Sequence, residues 1–212
     1  LSRRQVQEEC MGRYVKKLHP GDIIPVRVTH LEPFGAFVDV GCGIPSLIPI
    51  DAISVSRIAH PRDRFSPGQE IQAVVRQVEP NGRVALSHKE LLGSWEENAA
   101  LFSPGETVAG VIRSSESYGV FIELTPNLAG LAEPRDDVFP GQHASVFIKS
   151  LIPEKMKVKL ILVDAFDASY PVQPFHYFVQ GNHLSYWRYS PASCSKRIET
   201  RFDELQEEES AT

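Results

Sequence analysis

Two aromatic side chains, Phe34 and Phe37, are the residues of this sequence whose types and spacing best suit binding chemistry. Two exposed rings beside a basic residue form a platform on which flat nucleic-acid bases stack. Residues three apart in a regular strand face opposite sides of the sheet. If both rings share one surface, we expect Gly35 to reset the register through a bulge or kink. The alternative is that both rings are core residues of a small barrel.

The same pattern recurs around Tyr118 and Phe121, 84 residues after the first pair. The Pro-Gly-Gln segment at residues 67–69 also recurs, at residues 140–142, but with an offset of 73. Because the offset falls from 84 to 73, the second copy lacks eleven residues between its third and fourth strands. Internal repetition of this kind predicts two units of the same fold in tandem.

Alternating apolar residues bounded by turn signals predict five strands in the first copy, at residues 23–31, 35–40, 46–50, 69–78 and 83–88. Pro80-Asn81-Gly82 predicts a tight hairpin between the last two strands. The predicted fold class is therefore all-β, with two tandem five-stranded barrels of Greek-key size. A short N-terminal helix is expected before the first barrel and another between the barrels. Trp95, in this linker, either packs at the junction or lies exposed.

The C-terminal region, residues 166–205, is the most aromatic part of the chain and belongs to neither copy. A turn at Gly181 separates residues 176–179 from residues 183–189, as in a β-hairpin, and residues 196–202 alternate like a third strand. Since an isolated hairpin is marginally stable in water, we expect this region to dock on the second copy or to pair with a partner. Its aromatic residues form either the core of the appendage or a docking patch.

These patterns divide the chain into six predicted segments. They are a helical segment (1–18), a first barrel (19–90), a linker helix (91–101), a second, shortened barrel (102–165), an aromatic β-hairpin appendage (166–205) and an acidic tail (206–212). The N-terminus has neither Met nor a secretory apolar stretch, so we expect a piece of a longer chain. No apolar run approaches the ~20 residues that span a bilayer, which predicts no membrane partner.

The net charge of −5 argues at first against a nucleic-acid ligand. The charge is unevenly distributed, however, because residues 1–101 are neutral and the excess of acids lies after them. Residues 57–89 hold six cations against three acids. We therefore expect phosphate affinity to be modest and steeply dependent on salt.

The sequence offers no pattern typical of catalysis. It contains no Ser/His/Asp arrangement, no paired catalytic carboxylates and no glycine-rich phosphate loop, which predicts a protein that is not an enzyme and has no cofactor or small-molecule substrate. Three widely spaced cysteines lack metal-ligand spacing and favour a reducing cytoplasm.

Both copies resemble the S1 RNA-binding domain. The first match, over residues 19–92, is specific, and the second, over residues 102–163, is weaker but in register. The motifs that carry the first match are Phe34-Gly35-Ala36-Phe37-Val38-Asp39, His60-Pro61, Pro67-Gly68-Gln69 and the closing Gly82–Lys89 segment. The resemblance implies an OB-fold barrel (oligonucleotide/oligosaccharide-binding) that binds single-stranded RNA across one face of its sheet.

The resemblance also implies RNA-binding positions, one by one. The family's aromatic pair corresponds to Phe34 and Phe37, and to Tyr118 and Phe121. Its acidic residue before the last hairpin corresponds to Glu79 in the first copy only, and the basic residue after that hairpin to Arg83 and Lys157. Its histidine is replaced by Pro49 and by Glu133. Because the first copy retains four of the five positions and the second retains three, we expect the first to bind RNA better.

Several basic residues have two interpretations. Arg83 is either a phosphate contact or a solvated turn residue, and Arg27 is a further phosphate candidate. Lys155, Lys157 and Lys159 alternate with apolar residues and are expected to share one face. This face is either an RNA track or an ordinary solvated surface.

The predicted function is single-stranded RNA binding by a cytoplasmic, non-enzymatic protein with a role in translation like that of the bacterial ribosomal S1 family. The expected partners are mRNA or ribosomal RNA, and the ribosome. One alternative is a protein-interaction adaptor that docks on the ribosome or on another protein. Another is the accessory RNA-binding part of a larger RNA-processing enzyme.

Overall fold

Two closed five-stranded barrels make up most of the computed structural model, which describes residues 5, 8–9, 12–41, 43–170 and 173–202. The first barrel consists of β1 (Ile23–Glu32), β2 (Gly35–Asp39), β3 (Pro45–Pro49), β4 (Glu70–Val78) and β5 (Val84–Ser87). The second consists of β6 (Thr107–Glu116), β7 (Gly119–Thr125), β8 (Leu128–Ala132), β9 (His143–Ile152) and β10 (Lys157–Phe166). The predicted all-β class with two tandem barrels is confirmed.

The two barrels share one strand order. In the first it is β1-β2-β3-β5-β4, and β1 and β4 pair to complete the ring. The second has the equivalent order, β6-β7-β8-β10-β9, with β6 paired to β9. In each barrel one parallel pair, Leu47 with Ala85 or Leu131 with Lys159, joins the third strand to the fifth. Alternation along each strand sends one set of side chains to the barrel core and leaves the other set on its outer surface.

The linker between the barrels contains the short helix α1 (Trp95–Ala99). Ser94 caps its N-terminus, since the Glu97 backbone N–H donates to the Ser94 hydroxyl while the Glu97 carboxylate accepts from the Ser94 N–H. Trp95 is buried and packs with the core of the second barrel. Of the two interpretations of Trp95, packing at the junction is therefore the correct one.

The connection between β3 and β4, residues 50–69, docks on the second barrel. The Val55 N–H donates to Oδ1 of Asn127 at 2.9 Å, and the Ser56 N–H donates to the Pro126 carbonyl at 3.1 Å. Asn127 is fully buried, and its Nδ2 donates to the Lys89 and Gly93 carbonyls, both at 2.8 Å. The eleven residues missing from the second copy fall in the equivalent connection, so only the first copy has a loop long enough for this contact.

A buried charge cluster adds to the same contact. Glu123 of β7 accepts two bonds from Arg113, at 2.8 Å from Nε and 3.1 Å from Nη2, and a short bond from Arg64 of the β3–β4 connection. Both Arg64 and Glu123 are buried. Removing one partner of such a cluster leaves an uncompensated charge in a dry site.

The C-terminal segment, residues 173–202, which we call the strap, contains the predicted antiparallel hairpin, but with different strands. Its strands are β11 (Tyr186–Arg188) and β12 (Glu199–Arg201), and the predicted strand at 176–179 is wrong. Residues 176–184 instead contact the first barrel and the linker without forming a strand, with backbone bonds from Phe178 N–H to the Leu91 carbonyl and from Leu184 N–H to the Gly21 carbonyl. The backbone of this first part of the strap therefore finds its partners in the first barrel and the linker, and only β11 and β12 pair with each other.

The aromatic residues of the strap pack on both barrels. Phe175 packs against the first core, whereas Trp187 and Tyr189 are buried with the second. The expected docking on the second copy is therefore present, and the contact with the first copy was not predicted. These rings join the two barrels rather than forming a separate core or a free patch.

Two terminal predictions fall largely outside the described residues. Residues 12–13 and the isolated positions 5 and 8–9 are helical, and a 3-10 turn follows at Val15–Lys17, but the rest of the predicted N-terminal helix is not described. The predicted acidic tail at 206–212 lies entirely outside the described residues.

Candidate nucleic-acid interface

The outer face of the first barrel carries three neighbouring rings. Phe34, in the β1–β2 turn, is 55% exposed and meets Phe37 of β2 edge to face, with ring centroids 5.9 Å apart and an interplanar angle of 85°. His30 of β1 stacks on Phe37 at 4.3 Å and 9°. The rings therefore lie on the surface of the barrel rather than in its core.

A β-bulge in β1 brings His30 to this face. The bulge lies at Thr29, whereas the sequence predicted one at Gly35. The β1–β2 register runs from the Val28–Val38 pair to the His30–Phe37 pair, so Thr29 is the extra residue. The Thr29 hydroxyl donates to the Phe37 carbonyl at 3.1 Å. The predicted bulge at Gly35 was wrong, because that residue pairs regularly.

Gly35 has a different role, which is close packing. A Cβ at this position would lie 2.5 Å from the Ile48 carbonyl oxygen and 3.0 Å from Cδ1 of Leu47. Only glycine allows β3 to approach here without a shift. Phe34 shares a face with Phe37 because it sits in the turn, before β2 begins.

The predicted polar residues of the first barrel have different surroundings. Arg83 is exposed beside Glu79 at the β4–β5 hairpin, where the Glu79 N–H donates to the Arg83 carbonyl at 2.8 Å. Within the part of the chain that the structure describes, the Arg83 guanidinium makes no ion pair. The Glu79 carboxylate accepts from Asn81 at 3.0 Å, and Arg27 is bound to Glu70 at 2.7 Å. Arg83 is thus more available to a phosphate than Arg27.

The second barrel repeats the ring pair within an open groove of about 880 Å³. Tyr118 is 65% exposed and meets Phe121 edge to face at 6.0 Å and 82°. Three lysines line the groove with them: Lys149, Lys157 and Lys159. The predicted set of Lys155, Lys157 and Lys159 was wrong in one member. Lys155 lies in a 3-10 turn (Pro153–Lys155), and Met156 after it has a left-handed backbone (φ 48°), so β10 begins only at Lys157.

Sequence reasoning missed Lys149 and His30, and for the same reason. Each lies at or next to a β-bulge, where simple alternation fails. In the β9–β10 ladder, Ser150 pairs with Lys159 and Ile148 with Leu160, which makes Lys149 the extra residue. No feature of the local sequence marks either bulge, but both recur at equivalent positions in the two copies.

The remaining charges of the groove are Glu133 and Arg135. Arg135 binds Asp137 through two bonds, from Nε at 2.8 Å and from Nη2 at 2.5 Å. These bonds lower the pKa of Asp137 and raise that of Arg135. Glu133 is the acid that stands where the family has histidine, and it opposes the three lysines.

Two negative findings concern the described residues alone. Among them, no group of three or more His, Cys, Asp or Glu side chains is placed to hold a metal ion. No helix in the described part of the chain is long and apolar enough to cross a membrane.

The strand order and the closed five-stranded rings define OB-type barrels. Residues 17–89 match the family model of the S1 RNA binding domain. This match covers the first barrel, and the second barrel shares its strand order and its bulge positions.

The curated relatives are bacterial ribosomal proteins. The chain is 35% identical over 137 residues to the small ribosomal subunit protein bS1 homolog of Bacillus subtilis, a match that covers 62% of this chain and 36% of the relative. It is 30% identical over 177 residues to the small ribosomal subunit protein bS1 of Staphylococcus haemolyticus, covering 76% of this chain and 45% of the relative. The predicted resemblance is confirmed, and the chain spans less than half the length of these relatives. Among solved structures, GSP13 from Bacillus subtilis is 24% identical, with a TM-score of 0.33, over 42% of this chain and 63% of that one.

Proposed function

We propose that this chain binds single-stranded RNA across the outer faces of its two barrels and serves a ribosomal S1-like role in translation. The observation that carries the proposal is the exposed set of rings formed by His30, Phe34 and Phe37. Flat bases stack on such rings whatever their sequence, with about 1–3 kcal/mol for each base. The S1 match over the same barrel and the ribosomal relatives support this ligand.

The expected partners are mRNA or ribosomal RNA, with the ribosome as the assembly, and the expected location is the cytoplasm. The relatives are ribosomal proteins, and an RNA-binding role without catalysis is the proposal that follows from them. The adaptor alternative relied on a free aromatic appendage. It loses that support because Trp187 and Tyr189 are buried against the barrels.

The test is a titration with a labelled oligouridylate of about twelve nucleotides at low salt, comparing the wild type with Phe34→Ala/Phe37→Ala. Loss of two stacking surfaces should weaken binding about 30-fold or more, which corresponds to ~2 kcal/mol. The matched control is Phe139→Ala/Tyr170→Ala, which removes two exposed rings outside both pairs. We expect the control to bind like the wild type. A wild-type chain that does not bind, or a Phe34/Phe37 variant that binds normally, would contradict the proposal.

A further inference from the structure

The two barrels carry different chemistry at equivalent positions. We propose, on the basis of the proposed RNA binding, that the two barrels contribute different interactions with the RNA strand. The first barrel contributes mainly base stacking, and the groove of the second barrel is a phosphate-binding site formed by Lys149, Lys157 and Lys159.

In each barrel, one row of directly paired residues crosses all five strands. In the first barrel the row is His30, Phe37, Leu47, Ala85 and Gln77. In the second it is Ser114, Phe121, Leu131, Lys159 and Ser150. The aromatic and leucine positions are the same in both rows. The rows differ most in chemistry at two points, because the first barrel has a stacked imidazole where the second has serine, and the second has lysine where the first has alanine.

The charge balance of the two faces points the same way. At the equivalent positions of the first barrel, Arg76 and Arg83 are matched by Asp39 and Glu79, so these four residues sum to zero, and the neighbouring Arg27 is paired with Glu70. Arg76 is the extra residue of a bulge between Val75 and Gln77, as Lys149 is in the second barrel.

On the second face, three lysines are opposed by Glu133 alone, because Arg135 is compensated by Asp137, so the sum is +2. Neither acid of the first face has an unpaired counterpart here. Pro153 takes the place of Glu79, and Glu123, at the position equivalent to Asp39, is bound by Arg64 and Arg113 in the contact between the barrels. The Glu123 carboxylate, which would repel phosphate, is thus held outside the groove by its two arginine partners.

This arrangement assigns one occupant to the groove, the phosphodiester backbone of a single strand. The lysines are complementary to its charge, and Tyr118 and Phe121 accept the bases that accompany it. The free energy from the groove should therefore depend strongly on salt, and that from the first face should depend on it weakly.

The experiment measures the affinity for the same oligouridylate from about 50 to 200 mM salt. Lys149→Gln/Lys157→Gln/Lys159→Gln should weaken binding at low salt and reduce the slope of log K against log[salt] by about 2, since each phosphate contact on a single strand contributes ~0.7. The control Lys16→Gln/Lys17→Gln/Lys196→Gln makes the same charge change outside the groove lining. We expect its slope to change by less than half as much.

A reciprocal pair of single variants sharpens the test. His30→Ser and Lys159→Ala each install the residue that the other barrel carries at that point. His30→Ser should lower the affinity by a similar factor at every salt concentration, with the slope unchanged, whereas Lys159→Ala should lower the slope by about 0.7.

The outcomes separate the two proposals. If the wild type fails to bind, both proposals fail. If the wild type binds and the Phe34/Phe37 variant is weakened, but the groove variant and its charge control give the same slope, RNA binding stands and the division between the barrels is overturned.

Discussion

His88 is a fully buried histidine in a ring-lined site of the first barrel. Its Nδ1–H donates to the Ile53 carbonyl at 3.0 Å, and its Nε2 lies 3.3 Å from the hydroxyl of Tyr177 in the strap. That hydroxyl in turn accepts from the Gln72 N–H at 3.1 Å. In the neutral imidazole Nε2 accepts from the Tyr177 hydroxyl, whereas a protonated ring would present a donor there and leave the Tyr177 O–H without this acceptor.

The first prediction concerns stability against pH. Burial, with a smaller effect from the charge of Arg64, lowers the pKa of His88 to about 4, although the bond to Ile53 opposes the shift. The unfolded chain takes up this proton near its ordinary pKa of 6.5 and the folded chain only near 4. The free energy of unfolding should therefore be unaffected by His88 above pH 6.5. It should fall as the pH drops from 6.5 toward 4, by about 3 kcal/mol in total.

Urea unfolding of the wild type at several pH values between 7 and 5, where most carboxylates remain ionised, should show this fall in the free energy of unfolding. His88→Gln should show a flatter dependence. NMR titration of the His88 ring offers a second measurement in the wild type itself, and a resonance that titrates near pH 6.5 would contradict the prediction.

Gly35→Ala is the second prediction at this scale. The added Cβ would meet the Ile48 carbonyl, which belongs to a backbone paired on both sides. We expect a loss of about 1–3 kcal/mol in the free energy of unfolding, measured by urea denaturation. Gly12→Ala is the control, because a Cβ there meets no atom within 4 Å and the residue is helical. Equal free energies of unfolding for the two variants would contradict the prediction, because they would show that β3 shifts without cost to accommodate the added Cβ.

At the scale of elements, the strap covers the His88 site of the first barrel. Phe175 meets the His88 ring at 4.7 Å and the Phe65 ring at 5.7 Å, and Tyr177 satisfies the backbone of β4. The strap is therefore part of the first barrel's core as well as a connection to the second.

The third prediction tests this element. Tyr177→Phe keeps the ring but leaves the part-buried Gln72 N–H and the buried His88 Nε2 without their partner. The free energy of unfolding should fall by about 1–3 kcal/mol. Tyr186→Phe, whose hydroxyl bonds to Glu199 near the surface, is the matched control and should cost less. The prediction fails if thermal unfolding gives the same midpoint for both.

The elements that could be predicted from sequence were those fixed by local signals. Pro80-Asn81-Gly82 set the β4–β5 hairpin, and the repeat at residue offset 84 gave the second barrel. The strap's path could not be predicted, because Tyr177 and Gln72 are 105 residues apart and no local pattern joins them. His30 and Lys149 were missed because a bulge moves a side chain to the other face without any change in composition.

At the scale of the whole molecule, the two barrels are joined by buried polar contacts rather than by a flexible link. Asn127 uses its amide entirely on the β3–β4 connection and the linker, and the Tyr189 hydroxyl donates to its carbonyl at 2.6 Å. Glu123 adds the ionic contact with Arg64. These groups are buried only while both barrels are folded and in contact.

The fourth prediction is that the barrels unfold together. Glu123→Gln leaves the buried Arg64 without its ion-pair partner and Arg113 with only a 3.9 Å contact to Asp63. The loss should destabilise the chain by about 3–5 kcal/mol. In differential scanning calorimetry the wild type should give one transition and the variant two, as the barrels uncouple. Glu116→Gln, an exposed glutamate on the neighbouring strand of the same barrel, should keep the single transition. Two transitions in the wild type would contradict the prediction.

The single parallel pair that closes each barrel has a dynamic consequence. Leu47–Ala85 and Leu131–Lys159 join strands that share no other ladder pair, so transient opening of a barrel should begin there. Each pair also lies in the middle of the row on which we place the RNA. A bound strand would cross this line and hold its two sides together, and amide hydrogen exchange in β3, β5, β8 and β10 should slow most on binding. RNA binding could then be detected as less frequent local opening between the third and fifth strands of each barrel.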